Sequence, residues 1–439
     1  MQSLWQKEVT MPSFPGLDGE KKTDVLIVGG GFAGILCAYF LQKQGVDYCL
    51  AEAGRIAERV SGHTTAKITA QHGLVYHKIA KRYGIEAAQR YYTVNRMALE
   101  NYRILCKELD CDLEEKDNYV YSVKDRTKLE RELRVLEKIR AKASFADTLP
   151  LPFATCGAVV FPGQAQFHPL KFLAKISKGL TIYENTKVLE FGRCTAPGES
   201  RRVVVTNRGK VLAKNIIITT HFPMLNKHGS YFAKLYQHRS YVLALKNAPH
   251  LPGMYVDEDK KGFSFRNAGE FLLLGGGGHR TGKQGGCYTQ VRGAGETFYP
   301  QASEICRFAA QDCMSLDGIP YIGAYSLHCK GLFTATGFNK WGMTSSMVSA
   351  MVLSDLVQGR KNEYAQLFSP SRPMFTGQLA VNLAESTAGL LTFSKKRCPH
   401  LGCALKWNKE EHSWDCPCHG SRFAETGQVL NNPANGNLK

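Results

Sequence analysis

A predicted buried strand runs directly into a glycine-rich turn near the start of the chain. Residues 24–28 (Asp-Val-Leu-Ile-Val) have the apolar character of a parallel strand, and residues 29–34 follow as G-x-G-x-x-G. Gly29 permits the tight turn, Gly31 lets the backbone approach a pyrophosphate, and Gly34 lets the next helix pack close to the strand. The pattern predicts a dinucleotide site in a doubly wound α/β domain.

The acidic residue expected at the adenosine ribose is Glu52. It ends the next predicted strand, residues 46–51, and comes eighteen residues after Gly34. Its carboxylate would accept hydrogen bonds from the ribose hydroxyls. FAD and NAD share the adenosine half, so these residues alone leave both cofactors open.

Two Cys-His pairs lie near the other end of the chain. Cys398 and His400 are followed, after fifteen residues, by Cys416 and His419. Two thiolates can bind one iron of a [2Fe–2S] cluster and two imidazoles the other, which raises the reduction potential to about −150 to +300 mV. Zinc is the alternative, but structural zinc sites usually begin with two closely spaced Cys and end with two His. The spacing therefore favours iron–sulfur chemistry.

This tail resembles the Rieske iron–sulfur proteins of the disulfide-containing type. Their boxes, C-T-H-L-G-C and C-P-C-H-G-S, match residues 398–403 and 416–421, and Pro399 is the one departure. The resemblance implies that Cys398 and Cys416 bind one iron and that His400 and His419 bind the other. It also implies a disulfide between Cys403 and Cys418 that joins the two ligand loops. Two reduced thiols are the alternative for the last pair.

The tail departs from that family in two respects. Phe423 stands where this Rieske type has a Tyr that donates to a cysteine sulfur, so we expect a potential below that of the respiratory Rieske proteins. Only a short stretch separates Pro373 from Cys398. We therefore expect nearly bare cluster-binding loops, without most of the usual base sheet, which rest on another part of the protein.

Later segments favour FAD over NAD. Residues 61–67 are small and rich in hydroxyls, and a predicted strand at 332–336 leads into a turn and a helix that opens near Gly342. The N–H groups at a helix start would stabilise the negative charge of a reduced flavin. A plain glycine-rich turn is the alternative.

These segments resemble the D-amino-acid oxidase and glycine oxidase superfamily. With the tail, the whole chain resembles a bacterial family of FAD-dependent oxidoreductases fused to a Rieske domain. The resemblance implies FAD and a [2Fe–2S] cluster as cofactors. The residues predicted to bind FAD are Gly29, Gly31, Gly34, Glu52, Thr64, Thr65, Asp317, Gly337, Gly342, Met343 and Thr344.

The expected fold is a Rossmann-type α/β FAD-binding domain with an interleaved α+β substrate domain and a small all-β or loop-built cluster domain. The oxidoreductase part is residues 1–366. Its FAD-binding segments are predicted at about 22–75, 150–222 and 315–365, its substrate domain at about 76–149 and 223–314, the linker at 367–373, and the minimal Rieske domain at 374–439. The linker is assigned because its prolines and serines interrupt any periodic pattern.

Charge bounds the range of partners. The 439 residues carry a formal net charge of +18, but basic and acidic residues alternate, as in residues 125–132, which is typical of solvated helix faces and argues against nucleic acid. A basic surface would steer an acidic electron-transfer protein toward the chain. No secretory signal pattern or long apolar run is present, so we expect a cytoplasmic protein without a membrane span.

The two cofactors together predict a dehydrogenase. We expect a hydride to be taken from an amine-like small substrate and its electrons to leave singly through the cluster to an external acceptor. One alternative is a redox sensor or electron-transfer protein that turns over no small molecule. The other is an FAD-dependent RNA-modifying enzyme.

The catalytic residues are predicted only weakly. Amino-acid-oxidising members of the superfamily usually place an Arg for the substrate carboxylate where this chain has Asp312, which would attract a cationic amine instead; a surface Asp is the alternative. His279 follows four consecutive glycines that can bring backbone close to a flavin. The weak candidates are Tyr241, Arg266, His279, Asp312 and Lys340.

Overall fold

The computed structural model describes residues 2–192, 201–225 and 228–438. The chain forms two compact units and passes between them several times. We call them the nine-strand unit and the parallel-sheet unit. The nine-strand unit comprises Met1–Val9, His63–Lys171 and His238–Gln311, and the parallel-sheet unit comprises Thr10–Gly62, Phe172–Gln237 and Asp312–Lys439.

The parallel-sheet unit is built on an eight-stranded sheet with the path β16-β17-β10-β1-β2-β7, and β8 and β9 extend it beside β10. Strands β10, β1, β2 and β7 run parallel to one another, as expected for a doubly wound fold. The strands are β1 (Gly19–Val28), β2 (Tyr48–Ala51), β7 (Ile182–Tyr183), β8 (Val188–Phe191), β9 (Arg202–Thr206), β10 (Gly209–Ile218), β16 (Tyr321–Ala324) and β17 (Leu332–Thr336).

Two of the helices in this unit are apolar around most of their circumference. Helix α2 packs on helix α9, and both are buried along most of their length, as helices without a polar face must be. The helices are α2 (Phe32–Lys43), a 3-10 turn (Val60–Gly62), α6 (Pro169–Ile176, at the boundary between the units), α7 (Tyr231–Lys234), α9 (Gly342–Leu356), α10 (Ala365–Phe368) and α11 (Gly377–Leu391).

The nine-strand unit contains the sheet β15-β11-β14-β13-β12-β4-β6-β3, with β5 beside β6. Its strands are β3 (Lys67–Ile68), β4 (Glu114–Tyr121), β5 (Ser144–Ala146), β6 (Ala158–Gln166), β11 (Tyr236–Lys246), β12 (Met254–Asp257), β13 (Ser264–Ala268), β14 (Phe271–Arg280) and β15 (Ser303–Met314). Its helices are α1 (Leu4–Glu8), α3 (Tyr76–Tyr83), α4 (Ile85–Leu109), α5 (Arg126–Lys138) and α8 (Cys287–Phe298).

The tail has a small antiparallel sheet of its own. The strands, each three residues long, follow one another as β18 (Lys406–Asn408), β19 (Ser413–Asp415), β20 (Arg422–Ala424) and β21 (Val429–Asn431). The guanidinium of Arg422 pairs with Asp415 at 2.9 Å and with Glu411 at 3.1 Å, both inside the sheet region. This sheet carries the cluster loops and is as small as the sequence predicted.

Several local predictions are confirmed. The helix expected after the glycine turn is α2, and β17 spans the predicted residues. These features depend on neighbouring residues, and that is why the sequence predicts them well.

The predicted boundaries need correction in three places. Residues 63–75 and 150–171 belong to the nine-strand unit, because β3 pairs with β6 and β6 pairs with β4 in its sheet. The predicted linker at 367–373 is anchored, since Arg372 within it is buried and ion-paired. The tail also contains helix α11, which the sequence analysis did not predict. None of the helices in the described part of the chain has the length and apolar character that a bilayer span requires.

Candidate functional site

The glycine turn of the parallel-sheet unit leaves no room for side chains. Gly29 has φ +112°, and a Cβ there would lie 2.8 Å from the carbonyl oxygen of Thr219. A Cβ on Gly34 would lie 1.9 Å from the carbonyl oxygen of Gly29. Helix α2 starts directly after Gly31, which places its N-terminus at the turn, where such helices bind a pyrophosphate.

Glu52 lies beside this turn. Its carboxylate accepts hydrogen bonds from the backbone N–H of Gly30 at 2.7 Å and of Gly54 at 2.9 Å. The hydroxyl of Ser61 accepts from the N–H of Phe32 at 3.1 Å. The predicted ribose-binding carboxylate is therefore held at the end of β2, close to the helix start, as the dinucleotide pattern requires.

The late helix α9 starts at Gly342, after a strained turn. Asn339 and Lys340 have φ of +52° and +74°, a left-handed conformation that costs free energy in residues other than glycine. The Asn339 side chain stabilises the turn by donating to the carbonyl of Gly337 at 2.7 Å and accepting from the N–H of Ser315 at 2.9 Å. The turn therefore fixes the direction in which the first N–H groups of α9 face.

Asp317 is ion-paired inside the protein, and its predicted contact with the cofactor stays a prediction. Both of its carboxylate oxygens accept hydrogen bonds from the guanidinium of Arg372, at 2.7 and 2.8 Å, and both side chains are almost fully buried. Arg372 also donates to the carbonyl of Pro320 at 3.0 Å. Because these bonds occupy the carboxylate, we interpret Asp317 as an anchor for the start of the tail.

The two Cys-His loops of the tail have matching turns. The N–H of Gly402 donates to the carbonyl of Cys398 at 2.9 Å, and the N–H of Gly420 donates to that of Cys416 at 3.0 Å. Each turn is closed by its glycine, with φ of +79° and +85°, a conformation that glycine adopts without strain. The glycine of each box is therefore required by the backbone.

The structure brings the predicted cluster ligands together. The imidazole rings of His400 and His419 are 4.9 Å apart, edge to face. The thiol of Cys398 is in hydrogen-bond contact with that of Cys416, and this contact together with burial raises the pKa of Cys398. Burial lowers the pKa of His400 to about 3, so this imidazole is neutral, as a metal ligand must be. Two sulfurs and two nitrogens fit a [2Fe–2S] cluster with one His pair.

Cys403 and Cys418 are thiols in the structure. Their sulfurs and that of Cys416 all lie within 4.8 Å of one another. The predicted disulfide between Cys403 and Cys418 therefore needs little rearrangement, and it remains a prediction.

The tail rests on residues that follow β10 in the parallel-sheet unit. The ring of Phe222 meets that of His400 edge to face at 6.0 Å, and the ring of Phe232 meets that of His419 at 6.4 Å. The side-chain amide of Asn432 donates to the carbonyl of Phe222 at 2.9 Å. Both predicted histidine ligands therefore face the body of this unit, and the expectation that the loops rest on another part of the protein is confirmed.

The same chain segment contacts the glycine turn. We call residues 219–222 the bridging segment. At its start, Thr219 donates from its N–H to the carbonyl of Val28 at 2.9 Å and from its hydroxyl to that of Gly29 at 3.1 Å. At its end, Phe222 packs on His400. This segment was not singled out from the sequence, although its position at the end of a β-branched, apolar strand was a usable signal.

Within the nine-strand unit, Arg266 positions the predicted cofactor residues Thr64 and Thr65. Its guanidinium donates to the carbonyls of Thr65 at 2.7 Å and Ala66 at 3.1 Å. The indole N–H of Trp5 donates to the carbonyl of Thr64 at 2.7 Å. We interpret Arg266 and Trp5 as positioning residues for this loop.

Lys67, the last residue of the hydroxyl-rich segment, is a buried lysine that was not singled out from the sequence. Its ammonium contacts the hydroxyl of Thr65 at 3.3 Å. Burial, reinforced by the nearby charge of Arg266, lowers the pKa of Lys67 to about 7. A lysine inside a segment of small hydroxyl residues was the signal that could have identified it.

The other weak candidates fall into two groups. In the nine-strand unit, the rings of Tyr241 and His279 stack at 5.7 Å, and both are buried. In the parallel-sheet unit, Asp312 and Lys340 lie on two segments that are joined by a hydrogen bond. The N–H of Asn339, next to Lys340, donates to the carbonyl of Cys313, next to Asp312, at 3.0 Å.

Comparison with known proteins agrees with these sites. The family model for FAD dependent oxidoreductases (DAO) matches residues 24–356, and the model for the Rieske [2Fe-2S] domain matches residues 370–439. The Bacillus subtilis (strain 168) protein YhfW, which is named for a Rieske 2Fe-2S iron–sulfur centre, is 34% identical over an alignment of 497 residues that covers 100% of this chain and 97% of YhfW.

Solved structures show the same fold. Glycine oxidase from Geobacillus kaustophilus matches with a TM-score of 0.67 and 20% identity, over 81% of this chain and 100% of that one. L-proline dehydrogenase from P. horikoshii matches with a TM-score of 0.66 and 13% identity, over 80% of this chain and 98% of that one.

The predicted fold class and the predicted pair of cofactors are confirmed by these matches. The DAO family binds FAD, for which the glycine turn and Glu52 are suited, and the Rieske domain binds a [2Fe–2S] cluster, for which the Cys-His loops are suited. The chain therefore belongs to the family of FAD-dependent oxidoreductases and carries a C-terminal Rieske [2Fe–2S] domain.

Proposed function

We propose that the protein is a dehydrogenase that takes a hydride from a small amine-like substrate and delivers the electrons one at a time, through its Rieske domain, to an external acceptor. FAD can accept two electrons together and release them singly, and a [2Fe–2S] cluster carries one at a time. The single observation that carries the proposal is the bridging segment, which contacts the glycine turn at one end and His400 at the other.

Several hydrogen bonds hold the Rieske domain against the rest of the parallel-sheet unit. Asn382 donates to the carbonyl of Ala233 at 3.0 Å, and Arg59 donates to the carbonyl of Leu430 at 2.9 Å. Lys187 donates to the carbonyl of Asn435 at 2.8 Å. These bonds would keep the two histidines at a constant distance from the bridging segment, so electron transfer would need no movement of the domain.

An amine is the proposed class of substrate because of Asp312. This half-buried carboxylate lies at the end of β15, next to the turn that precedes α9, and a carboxylate favours a cation nearby. Two solved structures of the same fold are named for glycine and L-proline, and both of those compounds carry an amine nitrogen. An acidic protein is the proposed acceptor, because the chain carries a net charge of +18.

The reaction with oxygen tests whether the protein is a dehydrogenase. After anaerobic reduction, we expect slow reoxidation of the flavin by oxygen and fast reoxidation by ferricyanide, a one-electron acceptor. Replacing the cluster ligand in Cys416→Ser should slow the ferricyanide reaction by about tenfold or more, which corresponds to roughly 1.4 kcal/mol or more of barrier. Stopped-flow absorbance measures both rates.

Cys329→Ser is the matched control, since Cys329 is a partly buried cysteine of the same unit outside the cluster loops. It should leave both rates unchanged. A fast reaction with oxygen that is unaltered by Cys416→Ser would show that the cluster is not the exit for electrons.

A further inference from the structure

Large exposed apolar side chains are concentrated in the tail. Of the sixteen in the described part of the chain, seven lie between residues 375 and 401. Leu391 is 80% exposed and Phe393 is 91% exposed. Single exposed apolar residues are ordinary, but a contiguous group marks a surface that binds something.

Helix α11 is held against the cluster loops by its inner face. A Cβ on Gly389 would lie 2.4 Å from the sulfur of Cys418, and the carbonyl of Gly389 accepts from the N–H of Ala404 at 2.9 Å. The hydroxyl of Ser386 lies 3.5 Å from Nε2 of His419. Only the thickness of helix α11 therefore separates its exposed face from the cluster ligands.

The exposed residues at the end of α11 form one surface with the first ligand loop. Arg397 joins the two parts, because its guanidinium donates to the carbonyls of Leu390 at 3.2 Å and Gly402 at 2.8 Å. We call the exposed side chains on this surface the tail patch. Its members are Leu390, Leu391, Phe393 and Leu401.

The charge around the tail patch is positive. Lys395, Lys396 and Arg397 are exposed and lie two to four residues after Phe393 in the chain. Helix α11 contains a single acidic residue, Glu385. An apolar centre with a basic rim is complementary to a partner that has an apolar centre and an acidic rim.

We propose that the tail patch is the docking surface for a small acidic protein that carries one electron. This inference rests on the proposed function, which requires an external acceptor. One electron leaves the reduced cluster and reduces the carrier by one electron, and no bond or proton changes place. The position of the patch favours a carrier over a lipid surface or a second copy of the chain, because Leu401 adjoins the ligand His400 and Gly389 contacts Cys418.

The test uses an acidic plant-type [2Fe–2S] ferredoxin as the probe. Its potential, about −400 mV, lies below the Rieske range of about −150 to +300 mV, so the reduced probe should pass an electron into the oxidised cluster through the same surface. The reaction needs neither substrate nor a reduced flavin, so failure of docking and failure of the proposed dehydrogenase activity give separate results. Stopped-flow absorbance of the full-length holoprotein measures the second-order rate constant.

Phe393→Glu places a negative charge in the patch and should lower that rate constant by about tenfold or more. Lys395→Glu combined with Lys396→Glu should also lower it, mainly at low salt, because salt screens exposed charges. Leu327→Glu is the matched control, since Leu327 is also a highly exposed apolar residue but lies outside the tail, and it should leave the rate unchanged. An unaltered EPR spectrum of the cluster shows that the variants are intact.

Equal rate constants for Phe393→Glu, Leu327→Glu and the unmodified protein would overturn the proposal. It would also be overturned if Phe393→Glu abolished binding to phosphatidylglycerol vesicles, or converted a dimer to a monomer in analytical ultracentrifugation, without slowing the ferredoxin reaction. Those results would assign the patch to a membrane surface or to a second copy of the chain.

Discussion

Phe423 is the residue at which this Rieske domain departs most clearly from the proteins it resembles. It is fully buried on β20 and lies opposite Trp414 of β19. A Tyr at this position would add a hydroxyl that can donate toward the cluster sulfurs and withdraw negative charge from them. The missing hydroxyl therefore bears on the potential of the cluster.

Phe423→Tyr should raise the reduction potential of the cluster. A hydrogen bond worth about 1 kcal/mol more in the reduced state corresponds to roughly 40 mV for a one-electron couple. EPR-monitored redox titration measures the shift. Ser421→Ala is the companion variant and should shift the potential downward, because it removes a hydroxyl that hydrogen-bonds the sulfur of Cys398. A Phe423→Tyr potential equal to or below that of the unmodified protein would contradict this account of the site.

At the scale of elements, the ion pair between Asp317 and Arg372 fixes the start of the tail to the turn before β16. Both side chains are nearly inaccessible, and Arg372 also donates to the carbonyl of Phe368 at 3.2 Å at the end of α10. The Rieske domain is therefore attached to the rest of the parallel-sheet unit by a buried ion pair as well as by the continuous chain.

Asp317→Asn should destabilise the parallel-sheet unit by about 3–5 kcal/mol, because it leaves the buried charge of Arg372 without its counter-ion. Asp147→Asn is the control, since Asp147 pairs with Arg126 on the surface, and such pairs contribute at most about 1 kcal/mol. Urea unfolding followed by tryptophan fluorescence and by flavin release measures both. A loss of unfolding free energy in Asp317→Asn that is no larger than the loss in Asp147→Asn would contradict this role of the buried pair.

Elements encoded by adjacent residues could be predicted from the sequence, and contacts between distant residues could not. The strand, glycine turn and helix at residues 24–43 and the two ligand loops are local, and each is encoded by adjacent residues. The contacts that were missed join distant residues: Asp317 with Arg372, and Arg266 with the carbonyls of Thr65 and Ala66. Pairing of β6 with β4 is likewise decided by the whole sheet, which explains the misplaced domain boundaries.

Helix α11 was missed for a different reason. It has few charged residues, and only Asn382 and Gly389 are buried among its fifteen residues, so it shows no strong periodicity of apolar and polar residues. The face of α11 that packs against the cluster loops is formed by small residues. A pattern based on hydrophobicity does not detect such a face.

At the scale of the whole molecule, the parallel-sheet unit combines the glycine turn suited to FAD and the Cys-His loops suited to a [2Fe–2S] cluster. The glycine turn and the Cys-His loops are more than three hundred residues apart in the chain, yet the bridging segment contacts both. Both cofactor sites therefore lie in one unit, as the proposed transfer of electrons from the flavin to the cluster requires.

An anaerobic titration with substrates tests the central claim most directly. Small amines, amino acids and NAD(P)H are added in turn to the purified holoprotein, and flavin absorbance and the EPR signal of the cluster are recorded on the same sample. We predict that an amine bleaches the flavin absorbance and that the signal of the reduced cluster appears with it. A substrate that bleaches the flavin completely while the cluster stays oxidised would contradict the account.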